Sequence, residues 1–226
     1  TRVLDQVVAS GASRVRLGGF DIDGVLRGKY ISLAKFESAL KGGLGFCDVI
    51  FGWDSQDELY EGVDVQVTGW HTGYPDLHCW IDPTSRRSVP WENDTPFFLL
   101  DFANQDGSPY PASPRQLLKT VVGRGEDLGY TARFSAEYEF FLFSENSHSV
   151  REKAYKNLTP LSPGMFGYSA LRASTYSELV HGLTDGLEAF GVHVEGIHTE
   201  TGPGVYEAAI AHDGTVAAAD QGALFK

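Results

Sequence analysis

Basic residues are scarce in this sequence, cysteines scarcer still, and long apolar runs are absent. Eighteen Lys and Arg face 30 Asp and Glu, for a formal net charge of −12. That deficit excludes a nucleic acid or an anionic membrane surface as the main partner, because both require a basic face. Two cysteines, Cys47 and Cys79, can close at most one disulfide. They read as free thiols of a reducing compartment rather than a disulfide framework. No apolar stretch reaches membrane-spanning length, and the first residues lack a signal-peptide pattern, so a cytoplasmic protein is expected. Without a secretory signal, Asn93-Asp94-Thr95 and Asn157-Leu158-Thr159 carry no weight as glycosylation acceptors. Internal repeats and low-complexity segments are also missing. What is present is an ordinary apolar fraction, 42% of 226 residues, enough for a sizeable core in one large or two small domains. The acidity suits a protein that handles a divalent cation.

The chain reads as α+β. Residues 1–12 form a lead-in or short helix. Val15-Arg16-Leu17 and Val25 to Ile31 are strand-like, with Asp23-Gly24 as a hairpin turn between them. Leu33, Phe36 and Leu40 mark a helix stopped by Gly42-Gly43. From 46 to 82 the chain is rich in Gly and aromatics with no helical period, His71 to Ile81 looks extended, and Phe97 to Phe102 is a buried strand. The domain boundary is placed in Asn104-Gln105-Asp106-Gly107-Ser108, dividing the chain into 1–106 and 107–226. Ser113-Pro114 opens a helix that runs to Gly129. Residues 144–172 form a polar loop of the kind that lies over a site. A capping box of Thr175 and Glu178 starts a second helix, which ends at Gly191. Strands at 192–197 and 205–210 flank a turn at Thr201-Gly202-Pro203-Gly204. This order predicts an antiparallel sheet with helices on one face.

The chemistry gathers in two stretches. Ser135-Ala136-Glu137-Tyr138-Glu139-Phe140-Phe141-Leu142-Phe143 is an apolar, aromatic run and reads as a buried strand. Alternation puts Glu137 and Glu139 on one face, with Cα atoms roughly 6.6 Å apart, twice the strand rise. Two like charges there call for a cation, and no Lys or Arg follows them in the strand. The second stretch is Glu195-Gly196-Ile197-His198-Thr199-Glu200-Thr201-Gly202-Pro203-Gly204-Val205-Tyr206-Glu207. A hairpin about its Gly-Pro-Gly turn can bring Glu200 and Glu207 to the same side. Four Glu from three neighbouring strands make an all-oxygen site suited to Mg²⁺ or Mn²⁺, cations that usually serve phosphoryl groups. Taken alone, each stretch also fits an acidic strand end in water.

In order and spacing the two stretches resemble the glutamine synthetase family. Asp21 to Lys29 looks like that family's N-terminal β-grasp domain, and Phe102 to Arg115 like its linker into the catalytic domain. The resemblance runs from about residue 14 to the end. It implies a β-grasp-like domain followed by the first part of the catalytic domain. Glu139, Glu200 and Glu207 would then hold one metal, and Glu137 would belong to a second that grips the ATP phosphates. Glu195 and His198 match nucleotide-contacting positions. Asp54 matches, by approximate alignment, the Asp that binds and deprotonates ammonium in the site of an adjacent subunit. The implied reaction is ATP-dependent ligation of the glutamate γ-carboxylate to ammonia or a small amine, through a γ-glutamyl phosphate, by a homo-oligomeric ring. Val205 stands where the family usually has Gln, and Trp53 with Trp70 to Asp76 makes the amine region unusual. Both fit a divergent γ-glutamyl-amine ligase as well as a glutamine synthetase. The family's Asn-Gly-Ser-Gly-x-His stretch and substrate-binding arginines are not found before Lys226. An N-terminal half, inactive alone, is therefore expected, with a catalytically inactive structural or regulatory relative as the alternative.

A rival motif is Phe20-Asp21-Ile22-Asp23-Gly24, which looks like the first motif of the haloacid-dehalogenase-type phosphatases. Its preceding strand should be continuously apolar. Here Arg14 and Arg16 alternate with Val15 and Leu17, and the later acidic pair is absent, so a hairpin turn is the better reading.

Overall fold

A computed structural model describes residues 2–60 and 68–225. Residues 61–67, inside the stretch read as non-helical, lie outside it. The chain divides into two compact units, the first ending at Ala132 and the second running Arg133–Phe225.

In the first unit, α1 (Arg2–Ala9) precedes β1 (Arg14–Phe20) and β2 (Leu26–Ser32), then α2 (Leu33–Gly42), β3 (Leu44–Cys47), β4 (Asp76–Ile81), β5 (Arg87–Val89), β6 (Thr95–Ala103) and α3 (Pro114–Asp127). The strands order as β2-β1-β6-β4-β3, with β5 also on β6; β1 and β6 are parallel and the other pairs antiparallel. The β1–β2 hairpin turns where Asp-Gly predicts. Asp21 is fully buried, its Oδ1 accepting from the N–H groups of Asp23 and Val25 and its Oδ2 from Arg27 Nε. That carboxylate is consumed in holding the turn, as a hairpin reading requires. Alternation on β1 sends Val15 and Leu17 into the core. There they join Phe36 and Ala39 of α2 and Phe98, Leu100 and Phe102 of β6. Phe36 packs on Phe98 at 5.1 Å between centroids, and Phe102 meets Phe51 edge-on at 5.1 Å. Truncating one such phenylalanine to Ala would cost about 3–5 kcal/mol. The extended segment begins at Asp76, not at His71, because residues 71–73 are turn.

The expected boundary at 106/107 falls inside this first unit. Helix α3 stays with it because Arg115 donates to Asp82 Oδ2 at 2.8 Å and to Asp101 Oδ1 at 2.5 Å, while Lys119 Nζ reaches Asp101 Oδ2 at 2.6 Å. Asp101 is the one acid in the middle of the otherwise apolar β6, and these two cations are its partners.

The second unit holds β7 (Arg133–Phe134), β8 (Glu137–Phe141), α4 (Ser147–Glu152), α5 (Ala170–Thr175), α6 (Ser177–Phe190), β9 (Val194–Thr199), β10 (Val205–Ile210), β11 (Asp213–Gly214) and α7 (Thr215–Phe225). β8, β10 and β9 form an antiparallel sheet in that order. One face is apolar: Tyr138 stacks on Phe225 of α7 at 4.8 Å, and Tyr206, Ala208 and Ile210 are buried. Three expectations need correcting. β8 is not a buried strand; it sits at the sheet edge with Phe141 60% exposed, since among the described residues it pairs with β10 alone. The 144–172 segment is not all loop, because Asn146 caps α4 with a reciprocal capping box and Ser169 caps α5. The capping box of Thr175 and Glu178 does not form: Thr175 ends α5, and α6 begins at Ser177 with no side-chain cap. Gly191 ends α6 in the left-handed region, as expected.

Candidate metal centre

The second apolar–polar alternation decides the site. Glu139 lies directly opposite Glu207 in the β8–β10 pair, and Glu207 lies opposite His198 in the β10–β9 pair. Cross-strand partners share a face, so Glu137, Glu139, Glu207 and His198 all stand on the side away from α7. The turn after β9 then carries Glu200, whose N–H donates to the Val205 carbonyl at 2.9 Å. Gly204 is required in this turn. Its φ is +72°, and a Cβ there would lie 2.5 Å from the Leu142 carbonyl oxygen.

His198, Glu200 and Glu207 converge. One ligand atom from each lies within 4.8 Å of the others, and all three residues are half-buried. Two carboxylates this close repel each other. His198 Nε2 is buried without a hydrogen-bond partner and stands 3.9 Å from Glu207 Oε1, beyond hydrogen-bond reach. A cation between the three groups would satisfy the orphaned nitrogen and screen the two acids. Carboxylate oxygen with one imidazole nitrogen suits a hard to borderline divalent ion.

The cluster differs in membership from the four-carboxylate set expected from the sequence. Glu200 and Glu207 are in it, and His198 joins them. Glu137 and Glu139 share the face, are exposed and lie outside the cluster. Glu195 is the extra residue of a bulge: Gly196 pairs with Ala209 and Val194 with Ile210. The bulge leaves Glu195 without a cross-strand partner and exposed, next to Gly196, which pairs on the carboxylate face. Asp54 belongs to the first unit, where its Oδ1 caps its own loop by accepting from the N–H groups of Gln56 and Glu58. Arg27 holds that loop, bonding the Asp54 carbonyl at 3.3 Å and the Asp57 carboxylate, and lying over Trp53. Tyr168 went unnoticed in the sequence; its ring lies on His198 with centroids 4.1 Å apart. Nothing in the sequence set it apart from Tyr155 and Phe166 of the same segment.

The catalytic domain of glutamine synthetase matches residues 111–226, more than half of the chain and the whole of this sheet. The chain belongs to the glutamine synthetase family. A type-1 glutamine synthetase of Dictyostelium discoideum is 49% identical over 224 residues, which is 99% of this chain and 42% of that protein. A glutamate–isopropylamine ligase of a Pseudomonas species is 32% identical over 100% of this chain and 49% of its own length. A crystal structure of a glutamine synthase homologue superposes with a TM-score of 0.72 at 25% identity, covering 94% of this chain and 46% of that one. The chain thus spans about half the length of the relatives it matches. Among the described residues no helix is long and apolar enough to cross a membrane.

Proposed function

We propose that this chain supplies part of the cation- and nucleotide-binding machinery of an ATP-dependent ligase, which joins the γ-carboxylate of glutamate to ammonia or a small amine through a γ-glutamyl phosphate. The observation that carries the reading is the convergence of Glu200, Glu207 and the unpartnered His198 Nε2, with Glu139 opposite Glu207 on the same open face. Glu139, Glu200, Glu207 and His198 would hold Mg²⁺ or Mn²⁺, and Glu137 a second ion on the nucleotide side. Bound there, such ions neutralise charge on a transferring phosphoryl group. Glu195, exposed at the bulge of β9, would contact the nucleotide. Residues 1–106 would act as a β-grasp-like domain and 107–226 as the first part of the catalytic domain, whose opening helix α3 packs with the first unit. In a cytoplasmic ring of identical subunits, the Asp54 loop serves a neighbour's site, and Asp54 takes the proton of the attacking amine. Val205, Trp53 and Trp70 fit ammonia or a small amine equally, so the amine is read from the panel below.

The test is phosphate release from ATP by the protein of the complete reading frame, with glutamate, Mg²⁺ or Mn²⁺, and a panel of amines including ammonia. Turnover that needs both glutamate and an amine is expected, and Glu200→Ala should abolish it with the fold intact. Absence of stimulation by every amine would discard the ligase assignment in favour of a catalytically inactive relative. Unaltered turnover in Glu200→Ala would remove that residue from the cation site.

A further inference from the structure

His198 has its Cβ fixed by β9, but the last torsion of a histidine is soft and roughly two-fold. Its Nε2 makes no hydrogen bond that could choose the ring plane. Something else must choose it. Tyr168 lies on the imidazole with centroids 4.1 Å apart and planes 19° from parallel. This tyrosine is not a core residue: it is 74% exposed. It also occupies the left-handed backbone region, at φ +56°, which a bulky side chain rarely adopts. Such strain persists only where its surroundings enforce it. Here the enforcement comes from the residue next to His198. Thr199 accepts the Tyr168 N–H on its carbonyl at 2.7 Å and the Ser169 N–H on its hydroxyl at 2.9 Å, while its hydroxyl donates to the Phe166 carbonyl at 2.8 Å. Thr199 is itself buried. The segment carrying Tyr168 is therefore fastened to the same strand as the ring it covers.

The geometry points to Tyr168 as a positioning residue: its ring sets the plane of the His198 imidazole so that Nε2 faces Glu200 and Glu207 and is ready for a divalent cation. The role rests on the cation-site reading above. It acts through the aromatic face and not through the phenol hydroxyl, and it separates the orientation of His198 from the charge of the two acids.

The experiment measures Mn²⁺ binding to the protein of the complete reading frame, by the loss of the free-ion electron paramagnetic resonance signal. Tyr168→Asn removes the ring while tolerating the left-handed backbone. It should raise the Mn²⁺ Kd roughly tenfold, the scale of losing a group that orients a ligand. Tyr168→Phe should retain the original Kd. Thermal unfolding should be unchanged in both, since the residue is exposed. Unaltered Mn²⁺ affinity in Tyr168→Asn, with Glu207→Gln weakened, would overturn the positioning role alone. Equal weakening in Tyr168→Phe would also overturn it, by assigning the effect to the hydroxyl. Unaltered affinity in Glu207→Gln would instead remove the cation site, and the role of Tyr168 with it.

Discussion

Arg115→Met tests the ion cluster that joins α3 to the first sheet. The Arg115 side chain is 6% exposed, and its partners Asp82 and Asp101 are 10% and 19% exposed. Burial alone would push the Asp82 carboxyl up, but hydrogen bonds from Thr84 and Arg115 together with the Arg115 charge outweigh it and hold the group at about 2. Against an ordinary value of 3.8 that is nearly two pH units, or about 2.5 kcal/mol at roughly 1.4 kcal/mol per unit. The folded pKa is depressed, so this stabilisation is complete above the ordinary value and is lost as the pH falls through about 2. Removing one partner of a buried pair costs about 3–5 kcal/mol, and Lys119 remains beside both carboxylates, so the lower end, near 3 kcal/mol, is expected at neutral pH. The deficit should shrink as the pH falls from about 4 towards 2, because protonation removes the stranded charges. All four tryptophans, Trp53, Trp70, Trp80 and Trp91, lie in the first unit, so urea unfolding followed by tryptophan fluorescence reports this region selectively. A loss below about 0.5 kcal/mol at pH 7, or a loss independent of pH, would refute the reasoning.

Three further outcomes are expected. Gly204→Ala should destabilise by more than about 1 kcal/mol and weaken Mn²⁺ binding, since a Cβ at φ +72° meets the Leu142 carbonyl inside the turn that carries Glu200; calorimetry and metal titration would check both. Glu145 accepts from the Lys153 ammonium, the Ser149 hydroxyl and the Thr159 N–H, which hold its carboxyl at about 2. Glu145→Gln should speed hydrogen exchange across 146–159, and in the unsubstituted protein the same protection should fade only as the pH falls towards 2. Burial pushes the Cys79 thiol up to about 12, so iodoacetamide should leave it unmodified in the native protein and label it in urea, as mass spectrometry of the peptides would read out.

Much of the fold was legible because its signals are local. Val15 and Leu17 alternate with arginines, Asp-Gly marks the β1–β2 turn, and Gly191 closes α6, each a preference set within a few residues. Elements that depend on distant partners were not legible in the same way. β8 looks buried by composition, yet burial is a property of its neighbours, and its second edge is unpaired among the described residues. Thr175 and Glu178 have the spacing of a capping box, but Ser169 starts an earlier turn of helix that absorbs Thr175. Helix α3 joins the first unit through Arg115, Asp82 and Asp101, residues far apart in sequence whose pairing no periodicity announces.

The site divides along the same line. That Glu137 and Glu139 share a face follows from a period of two. That Glu200 and Glu207 come together needs only a hairpin about Gly-Pro-Gly. Which third residue completes the cluster depends on register, and register depends on how the turn closes. The observed closure pairs Tyr206 with Thr199 and so Glu207 with His198. A slip of one residue would set Glu207 opposite Thr199 and turn His198 to the α7 side. His198 is thus bound to the acids by the same turn that fixes Glu200, so a change in turn length should cost cation affinity even with every ligand retained. Inserting one glycine between Gly202 and Pro203 isolates this effect. Loss of Mn²⁺ binding on the scale of Glu207→Gln would establish register as the determinant, whereas retained binding would mean the two acids alone suffice.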